Sequence, residues 1–355
     1  MSRFFSSKYS NLKAYTPGEQ PTNMKYIKLN TNESPYPPSE GVLSAVDRKA
    51  VEMLNLYPDP TCKVLKEKLG GLYGVSSNNV FVSNGSDDIL NFSFMAFGNG
   101  EERGFKFPEI SYGFYSVYAE LHKVAFKKIA LCENFEINID DYMGNDANIV
   151  IANPNAPTGL ALSLEDIERL ASATPDYVVI IDEAYVDFGA QSAVELTKKY
   201  DNLLVVCTYS KSRSMAGARL GFAIGNSALI EDLEKIKFST NPYSINRLTL
   251  LAGEAAIDDN DYYMSNCKRV AETREKTKTA LEELGFYVTD SKANFLFAKS
   301  DKIGGEELYL ELKARGVLVR HFSDPKISEY NRITVGTEEQ METFIEKVKE
   351  ILKEK

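Results

Sequence analysis

The sequence predicts an α/β fold, with a large domain whose mostly parallel central sheet is flanked by helices and a smaller α+β domain after it. The first observation is a series of short apolar segments between residues 147 and 226, accompanied by amphipathic stretches such as 163–173 and 227–237. Segments that are apolar at every position suit strands buried on both faces, and their alternation with helices is typical of a doubly wound sheet. The second observation is a change of pattern after residue 260, where a long helical stretch precedes short strands and a closing helix.

The N-terminal segment is polar and contains Pro17, Gly18 and Pro21, which predicts an arm over residues 1–30 that joins the smaller domain. Beyond the arm, a helix after Ser39 is predicted by the spacing of its apolar residues, Val42, Leu43, Val46 and Ala50. A second helix is predicted over 61–73. A glycine turn in SNGSDD (83–88) then opens a further helix near Ser86.

Strands of the large domain are predicted at four apolar segments, 147–154, 177–185, 202–210 and 220–226. For the smaller domain we expect a long helix at 260–284 and a strand at 293–299, followed by a helix, strands at 317–320 and 332–336, and a closing helix at 337–354. The resulting parts are the arm (1–30), a large domain (31–259) and a small C-terminal domain (260–355).

Composition excludes several classes of function. The 355 residues carry a net charge of −10 with a pI of about 5.0, and an acidic chain repels nucleic-acid phosphates. No apolar run approaches the roughly 20 residues of a membrane span, and the N-terminus resembles no secretory signal, so we expect a cytoplasmic protein. The four widely spaced cysteines are expected to be buried free thiols. With only two histidines, His122 and His321, we expect no metal site and no Ser–His–Asp relay.

Three polar positions follow predicted strands: Asn153, Asp182 and the pair Ser210–Lys211. Each alone has an ordinary explanation, as a turn, a helix N-cap or a solvated loop lysine. They are evenly spaced, however, and ligands of open α/β sheets bind beyond the carboxyl ends of the strands. A lysine able to form a Schiff base and a carboxylate able to keep a ring nitrogen protonated together suit pyridoxal 5′-phosphate (PLP).

A phosphate site is predicted at the start of the helix near Ser86, where the backbone N–H groups of Ser86 and Asp87 face an anion. Arg219 adds a bidentate donor. The chain contains neither a G-x-x-x-x-G-K-[ST] nor a G-x-G-x-x-G motif, which argues against a P-loop enzyme and a Rossmann dehydrogenase.

Nine motifs, in order along nearly the whole chain, resemble those of the histidinol-phosphate aminotransferases, which are fold type I, class II PLP-dependent enzymes. They are LNTNESPYPPS (29–39), YPDP (57–60), NGSDD (84–88), NPNAPTG (153–159), DEAY (182–185), SKSRSMAGARLGF (210–222), NPYSIN (241–246), ANFLF (293–297) and RITVGT (332–337).

The resemblance implies a role for each matching residue. Lys211 would carry the cofactor and move the proton at the substrate α-carbon, and Asp182 would pair with the pyridinium nitrogen. Tyr185 and Asn153 would hydrogen-bond the cofactor's phenolic oxygen, and Tyr112 would stack on its ring. The phosphate would be held by Ser86, Asp87, Ser210 and Arg219.

The resemblance also implies substrate and partner contacts. Arg332 matches the arginine that binds the amino donor's carboxylate, and Arg320 and Tyr15 match positions that bind the substrate phosphate. Tyr57 matches a residue that reaches the phosphate in the neighbouring subunit, which implies a homodimer. For His321, next to Arg320, we expect no catalytic role.

The chain departs from the family pattern at Ala156, at Arg213 and Ser214 beside the lysine, and at Glu109 and Ile110.

The reaction implied by the resemblance is transfer of nitrogen between histidinol phosphate and 2-oxoglutarate, giving imidazole-acetol phosphate and glutamate. The alternatives are an aromatic amino acid aminotransferase and a threonine-phosphate decarboxylase of cobalamin synthesis. A non-catalytic PLP-binding module is disfavoured because the lysine, the aspartate and Tyr185 are all present.

Overall fold

The computed structural model describes residues 2–9, 12, 18–22 and 24–355. No helix within these ranges is both long enough and apolar enough to cross a membrane.

All four cysteines are free thiols, but the expectation that all are buried is wrong for Cys132, which is exposed. The reason is that Cys132 lies in a turn just beyond Phe126–Ile129, an edge strand with mostly exposed side chains.

The chain alternates strands and helices over most of its length. The strands are β1 (Ile27–Lys28), β2 (Val80–Ser83), β3 (Phe105–Pro108), β4 (Phe126–Ile129), β5 (Asn148–Ala152), β6 (Val179–Asp182), β7 (Leu203–Thr208), β8 (Gly221–Gly225), β9 (Phe286–Val288), β10 (Phe295–Ser300), β11 (Val317–Leu318), β12 (Arg320–His321) and β13 (Asn331–Thr334). The helices are α1 (Glu40–Ala45), α2 (Arg48–Glu52), α3 (Lys63–Tyr73), α4 (Ser86–Phe97), α5 (Phe114–His122), α6 (Leu164–Ala173), α7 (Ser227–Thr240), α8 (Arg247–Asp258), α9 (Asn260–Glu283), α10 (Gly305–Ala314) and α11 (Glu338–Lys353).

The central sheet has the strand order β2-β8-β7-β6-β5-β3-β4. Every neighbouring pair is parallel except those that include β8, which runs antiparallel to both β2 and β7. The predicted mostly parallel sheet is therefore confirmed. The segment from β7 to β8, residues 209–220, contains one short 3₁₀ turn and no α-helix, whereas a parallel return usually runs through a crossover helix.

Helices cover both faces of this sheet, as the alternation of side chains along a strand requires. In β5, Ile149 and Ile151 belong to a core with α3, α6 and α8, while Val150 belongs to a second core with α4, α5 and α7. Strands buried on both faces explain the continuous apolar segments of the sequence.

The helix predicted after Ser39 is two helices, which corrects the prediction. α1 ends at Ala45, and the Asp47 side chain accepts a hydrogen bond from the Ala50 N–H to begin α2. An aspartate that caps a helix start favours a new helix over continuation of the old one. Leu43, predicted as an apolar-face residue, is exposed.

The C-terminal part contains a second sheet in the order β12-β13-β10-β9, with antiparallel pairs throughout. Its core includes side chains of α9, α10 and α11. The strand predicted at 317–320 is divided: β11 pairs with β1 of the arm, and β12 pairs with β13. This pairing supports joining the arm to the smaller domain, while the exact domain boundaries stay a prediction.

Candidate active site

The candidate site lies at the carboxyl edge of the central sheet. β5, β6 and β7 are adjacent and parallel, so Asn153, Asp182 and Lys211 come from neighbouring strand ends. The Asn153 N–H donates to the Asp182 carbonyl oxygen at 2.8 Å, which extends the ladder between β5 and β6 to this edge. Parallel pairing thus explains how residues far apart in sequence lie near one another.

A cavity of about 340 Å³ opens at this edge. Its lining includes Thr31 and Glu33 from the segment after β1, and most of the residues predicted to bind the cofactor. The predicted residues in the lining are Ser86, Asp87, Tyr112, Asp182, Tyr185, Ser210, Lys211 and Arg219.

Lys211 presents its amine to this cavity from the loop between β7 and β8. Its Nζ donates a hydrogen bond to the Thr31 carbonyl oxygen at 3.1 Å and lies 5.9 Å from the centre of the Tyr185 ring. Burial, followed by the positive charge of Arg332, lowers the pKa of Lys211 to about 8. A larger fraction of the amine is therefore neutral, and so nucleophilic, near neutral pH than for an exposed lysine.

Asp182 is buried at the end of β6, and burial raises its pKa to about 6. The Tyr115 hydroxyl donates to Oδ2 at 2.9 Å and the Ala184 N–H donates to Oδ1 at 3.3 Å, and both hydrogen bonds favour the carboxylate. Within the described part of the chain no lysine or arginine forms a salt bridge with this carboxylate; the positive charge of Lys211 favours its ionised form, and a directly opposed positive charge would favour it further. A protonated ring nitrogen would supply that charge.

The next residue, Glu183, is also buried, and burial raises its pKa to about 8. Its carboxyl group accepts hydrogen bonds from the Ser192 hydroxyl and the Ala193 N–H. Both partners belong to the segment after Tyr185, so Glu183 anchors that segment and faces away from the cavity lining.

The predicted phosphate site forms at the start of α4. Gly85 precedes the helix with a φ of +85°, and the N–H groups of the first turn, from Ser86 onward, open towards Arg219. A Cβ at Gly85 would lie 2.9 Å from Arg219 Nη2, so a side chain there would fill the space between helix and guanidinium. Free helix N–H groups next to an arginine fit a phosphate monoester, the anionic end of PLP.

Asp87 orders the side chains around this phosphate site. Its Oδ2 lies 3.0 Å from Arg219 Nη2, and its Oδ1 accepts a hydrogen bond from the Tyr112 hydroxyl at 2.6 Å. Arg219 Nη1 also lies 3.4 Å from the Ser210 hydroxyl. Asp87 therefore holds both the arginine and the predicted stacking tyrosine in place.

Two arginines extend the site towards the smaller domain. Arg320 and Arg332 are cross-strand partners in β12 and β13, so their side chains lie on one face of that sheet. Their guanidinium carbons lie 5.7 and 5.9 Å from the centre of the Phe322 ring. Arg332 is the inner of the two, because it also lies over Phe295, whose ring packs against Tyr185.

Arg320 and Arg332 are not among the residues that line the cavity, and neither are Asn153 and Tyr57. Both amide atoms of Asn153 bond to the Leu162 backbone, with Leu162 N–H donating to Oδ1 at 2.8 Å. Tyr57 is 79% exposed and stacks on Tyr243 at 4.5 Å between ring centres. Tyr15 lies outside the described residues.

The sequence reasoning missed two polar contacts of the site. Tyr115, which supports Asp182, lies in the first turn of α5, and its ring packs edge-on against that of Tyr112, which precedes the helix. Asn32, whose amide donates to the Tyr185 hydroxyl, belongs to the motif LNTNESPY. The motif marked the segment as important, but only the tertiary fold shows which side chain it reaches.

Known proteins resemble this chain over its whole length. The sequence model of the family described as aminotransferase class I and II matches residues 24–348. The histidinol-phosphate aminotransferase of Brachyspira hyodysenteriae is 53% identical over 354 residues, which cover 99% of this chain and 100% of that protein. The histidinol-phosphate aminotransferase of Clostridium acetobutylicum is 45% identical over 352 residues, covering 99% and 100%. The fold also matches the crystal structure of histidinol-phosphate aminotransferase from Sinorhizobium meliloti in complex with pyridoxal-5′-phosphate, with a TM-score of 0.84, 21% identity and coverage of 93% and 92%.

Proposed function

The chain belongs to the aminotransferase class I and II family, and we propose that it transfers an amino group between histidinol phosphate and 2-oxoglutarate, giving imidazole-acetol phosphate and glutamate. It is a PLP-dependent aminotransferase. The proposal rests on one observation: a buried lysine, a buried carboxylate and a helix N-terminus with an arginine all line the same cavity.

The residues of the cavity fit the cofactor at each of its ends. Ser86, Asp87, Ser210 and Arg219 would hold the phosphate, Asp182 the ring nitrogen and Lys211 the aldehyde carbon. When bound, PLP supplies a cationic ring that accepts the electron pair left behind when the substrate α-carbon loses a proton. Because Asp182 is buried, its negative charge is poorly screened, and it would keep a ring nitrogen bound opposite it protonated.

The chain itself performs the proton transfer. The Lys211 amine, with its lowered pKa, would take the proton from the substrate α-carbon and deliver it to the cofactor's aldehyde carbon. Tyr185 would donate a hydrogen bond to the cofactor's phenolic oxygen, and Tyr112 would cover the ring. Asn153 supports the loop at Leu162 and is proposed as a second partner of that oxygen.

Substrate selection rests on the two arginines. Glutamate carries two carboxylates and histidinol phosphate carries a phosphate, so one site must accept different anions in turn. An arginine fork binds either anion through paired N–H groups. We assign Arg332, the inner residue, to both substrates, and Arg320, together with Tyr15, to the substrate phosphate.

The proposed assembly is a homodimer in which Tyr57 completes the partner's site. Large exposed apolar side chains concentrate in one stretch of the chain, at Leu43, Val51, Met53, Leu54, Leu56, Tyr57 and Val64. Such a concentration is typical of a surface that another protein covers.

We also infer a cytoplasmic location, which the four unpaired thiols support because disulfides rarely form there.

The experiment that tests the reaction is a panel of amino donors with 2-oxoglutarate, in which glutamate and CO2 are measured together. The panel contains histidinol phosphate, phenylalanine and threonine phosphate. We expect histidinol phosphate to give the highest kcat/KM, with glutamate formed and no CO2. Equal or faster reaction with phenylalanine would favour an aromatic aminotransferase, and CO2 from threonine phosphate would favour a decarboxylase.

A further inference from the structure

Asn32 is a buried residue at the junction of the arm, the smaller domain and the cavity. Its backbone has a φ of +56°, in the left-handed region that asparagine tolerates better than most residues. All four of its polar groups are hydrogen-bonded. The N–H donates to Thr334 Oγ1 at 2.9 Å, the carbonyl oxygen accepts from Asn294 Nδ2 at 3.0 Å, Oδ1 accepts from Thr334 Oγ1 at 3.0 Å, and Nδ2 donates to the Tyr185 hydroxyl at 3.0 Å.

The two bonds to Thr334 fix the direction of every proton in this network. Thr334 Oγ1 accepts from the Asn32 backbone, so its own proton is donated to Asn32 Oδ1. The amide nitrogen of Asn32 therefore faces Tyr185. In the opposite amide orientation, the buried Thr334 hydroxyl would point its proton at an NH2 group, an unsatisfied arrangement that costs free energy.

It follows that the Tyr185 oxygen accepts a hydrogen bond from Asn32 and that its proton is directed elsewhere. Tyr185 lines the cavity, so the cavity side is where the proton goes. We propose that Asn32 is a positioning residue that keeps the Tyr185 hydroxyl a donor towards the cofactor's phenolic oxygen. The proposal rests on the proposed function, since it needs PLP in this cavity.

The same network connects Tyr185 to the arginine that we assign to both substrates. Thr334 and Arg332 lie on β13, and Arg332 Nη2 donates to the Asn30 carbonyl oxygen at 3.0 Å, two residues before Asn32. The charged groups that face Tyr185 are Arg332 from β13, Asp182 from β6, Asp87 from α4 and Lys211 from the loop after β7. All four are unchanged in the variants below, so their influence on the titration is common to every sample.

The test is the pH titration of the visible absorption band of the holoenzyme. A donated hydrogen bond stabilises the ionised phenolic oxygen and so lowers the pKa of the bound chromophore. In Asn32→Asp the new carboxylate accepts the Tyr185 proton, and we expect the pKa of the chromophore to rise by about one to two units. Asn32→Gly, which tolerates the positive φ and removes the amide, should raise the same pKa by less.

Two further samples separate positioning from added charge. Tyr185→Phe should raise the pKa of the chromophore by itself, and adding Asn32→Asp to it should produce little further change, because Asn32 acts through Tyr185. Asn30→Asp places the same new charge two residues away, where the amide of Asn30 bonds the Glu19 carbonyl oxygen, and should leave the pKa near the wild-type value.

Equal shifts in the Asn32→Asp and Asn30→Asp proteins, or additive shifts in the double variant, would overturn the proposal. So would an unchanged titration in both Asn32 variants. A wild-type protein with no visible band would instead remove the proposed function, and this proposal with it.

Discussion

The amine of Lys211 lies in surroundings that favour its neutral form. Burial is the larger cause and the nearby Arg332 guanidinium is the next, and together they bring the pKa of Lys211 to about 8. The direction follows from charge: low polarity and a neighbouring cation both disfavour a second cation. The residue is thus prepared to attack an aldehyde before any substrate arrives.

The first prediction concerns the pH dependence of cofactor uptake by the protein freed of PLP. Only the neutral amine reacts, so the rate should rise with pH to a plateau, with a midpoint near 8. Arg332→Ala removes a cation and should move the midpoint upward. The measurement is stopped-flow absorbance after mixing with PLP across a pH series.

Arg320→Ala is the matched control for this prediction. It removes the same charge from the adjacent strand, and Arg320 is the outer of the two arginines. Its midpoint should remain near that of the wild type. A midpoint above 10 in the wild-type protein would show that Lys211 is not in the environment described.

The sequence motifs identified individual residues of the site, but they did not predict the hydrogen bonds between those residues. Lys211, Asp182 and Arg219 are adjacent to one cavity, as strand-end positions predict. The bond from Tyr115 to Asp182 and that from Asn32 to Tyr185 were not predictable, because they join residues 67 and 153 positions apart through the tertiary fold.

At the scale of elements, β12 and β13 hold in fixed register the two arginines that we propose bind the substrates. Arg320 faces Arg332 directly, and both flank Phe322. Two like charges on adjacent strands disfavour each other, so the pair suits an anion that binds between or beyond them. In the proposed mechanism, Arg332 lies nearer Lys211 than Arg320 does, and this difference would give the two arginines different roles.

The second prediction follows from the different distances of Arg332 and Arg320 from Lys211. Losing one charged hydrogen bond costs about 1.5–3 kcal/mol, which corresponds to roughly one to two decades in kcat/KM. Arg320→Ala should therefore slow the half-reaction with histidinol phosphate by about that factor and the half-reaction with glutamate less. Arg332→Ala should slow both. Each half-reaction is followed separately by stopped-flow absorbance, and equal losses for the two substrates in Arg320→Ala would remove its phosphate-specific role.

Element prediction succeeded where the apolar pattern and the capping residues indicate the same boundaries. α6 matches the predicted 163–173 because Ser163 and Asp166 form a capping box before an amphipathic run. The helix after Ser39 was predicted too long, because the apolar spacing hides the cap at Asp47. The division of residues 317–320 between two sheets could not be predicted from the local sequence, because β11 pairs with β1, which lies nearly 300 residues away in the chain.

At the scale of the whole molecule, the exposed apolar residues from Leu43 to Val64 are typical of a surface that another protein covers. Tyr57 lies within this stretch and, in this chain, outside the cavity lining. If a second copy covers the stretch, Tyr57 approaches the partner's phosphate site. Each site of the dimer would then contain residues of both subunits.

The third prediction is complementation between two impaired variants. Lys211→Ala and Tyr57→Ala, when co-expressed, form mixed dimers in which one site has both native residues. Activity should rise well above that of either variant, towards roughly a quarter of the wild-type value if the subunits pair at random. The measurement is the specific activity of the co-expressed mixture.

A second mixture serves as the control. Lys211 and Asp182 belong to the same subunit's site, so co-expressed Lys211→Ala and Asp182→Ala should show no such rise. An active monomer in sedimentation, or no complementation in a mixture that contains mixed dimers by native mass spectrometry, would contradict the shared site.

The central claim is that Lys211 carries the cofactor, and borohydride reduction tests it most directly. The protein should show a visible band that disappears on reduction, and mass spectrometry of the digested protein should find the reduced cofactor on the peptide that contains Lys211. Lys211→Arg should take no label under the same conditions. A label on any other lysine of the wild-type protein, or no label at all, would contradict the account of the site.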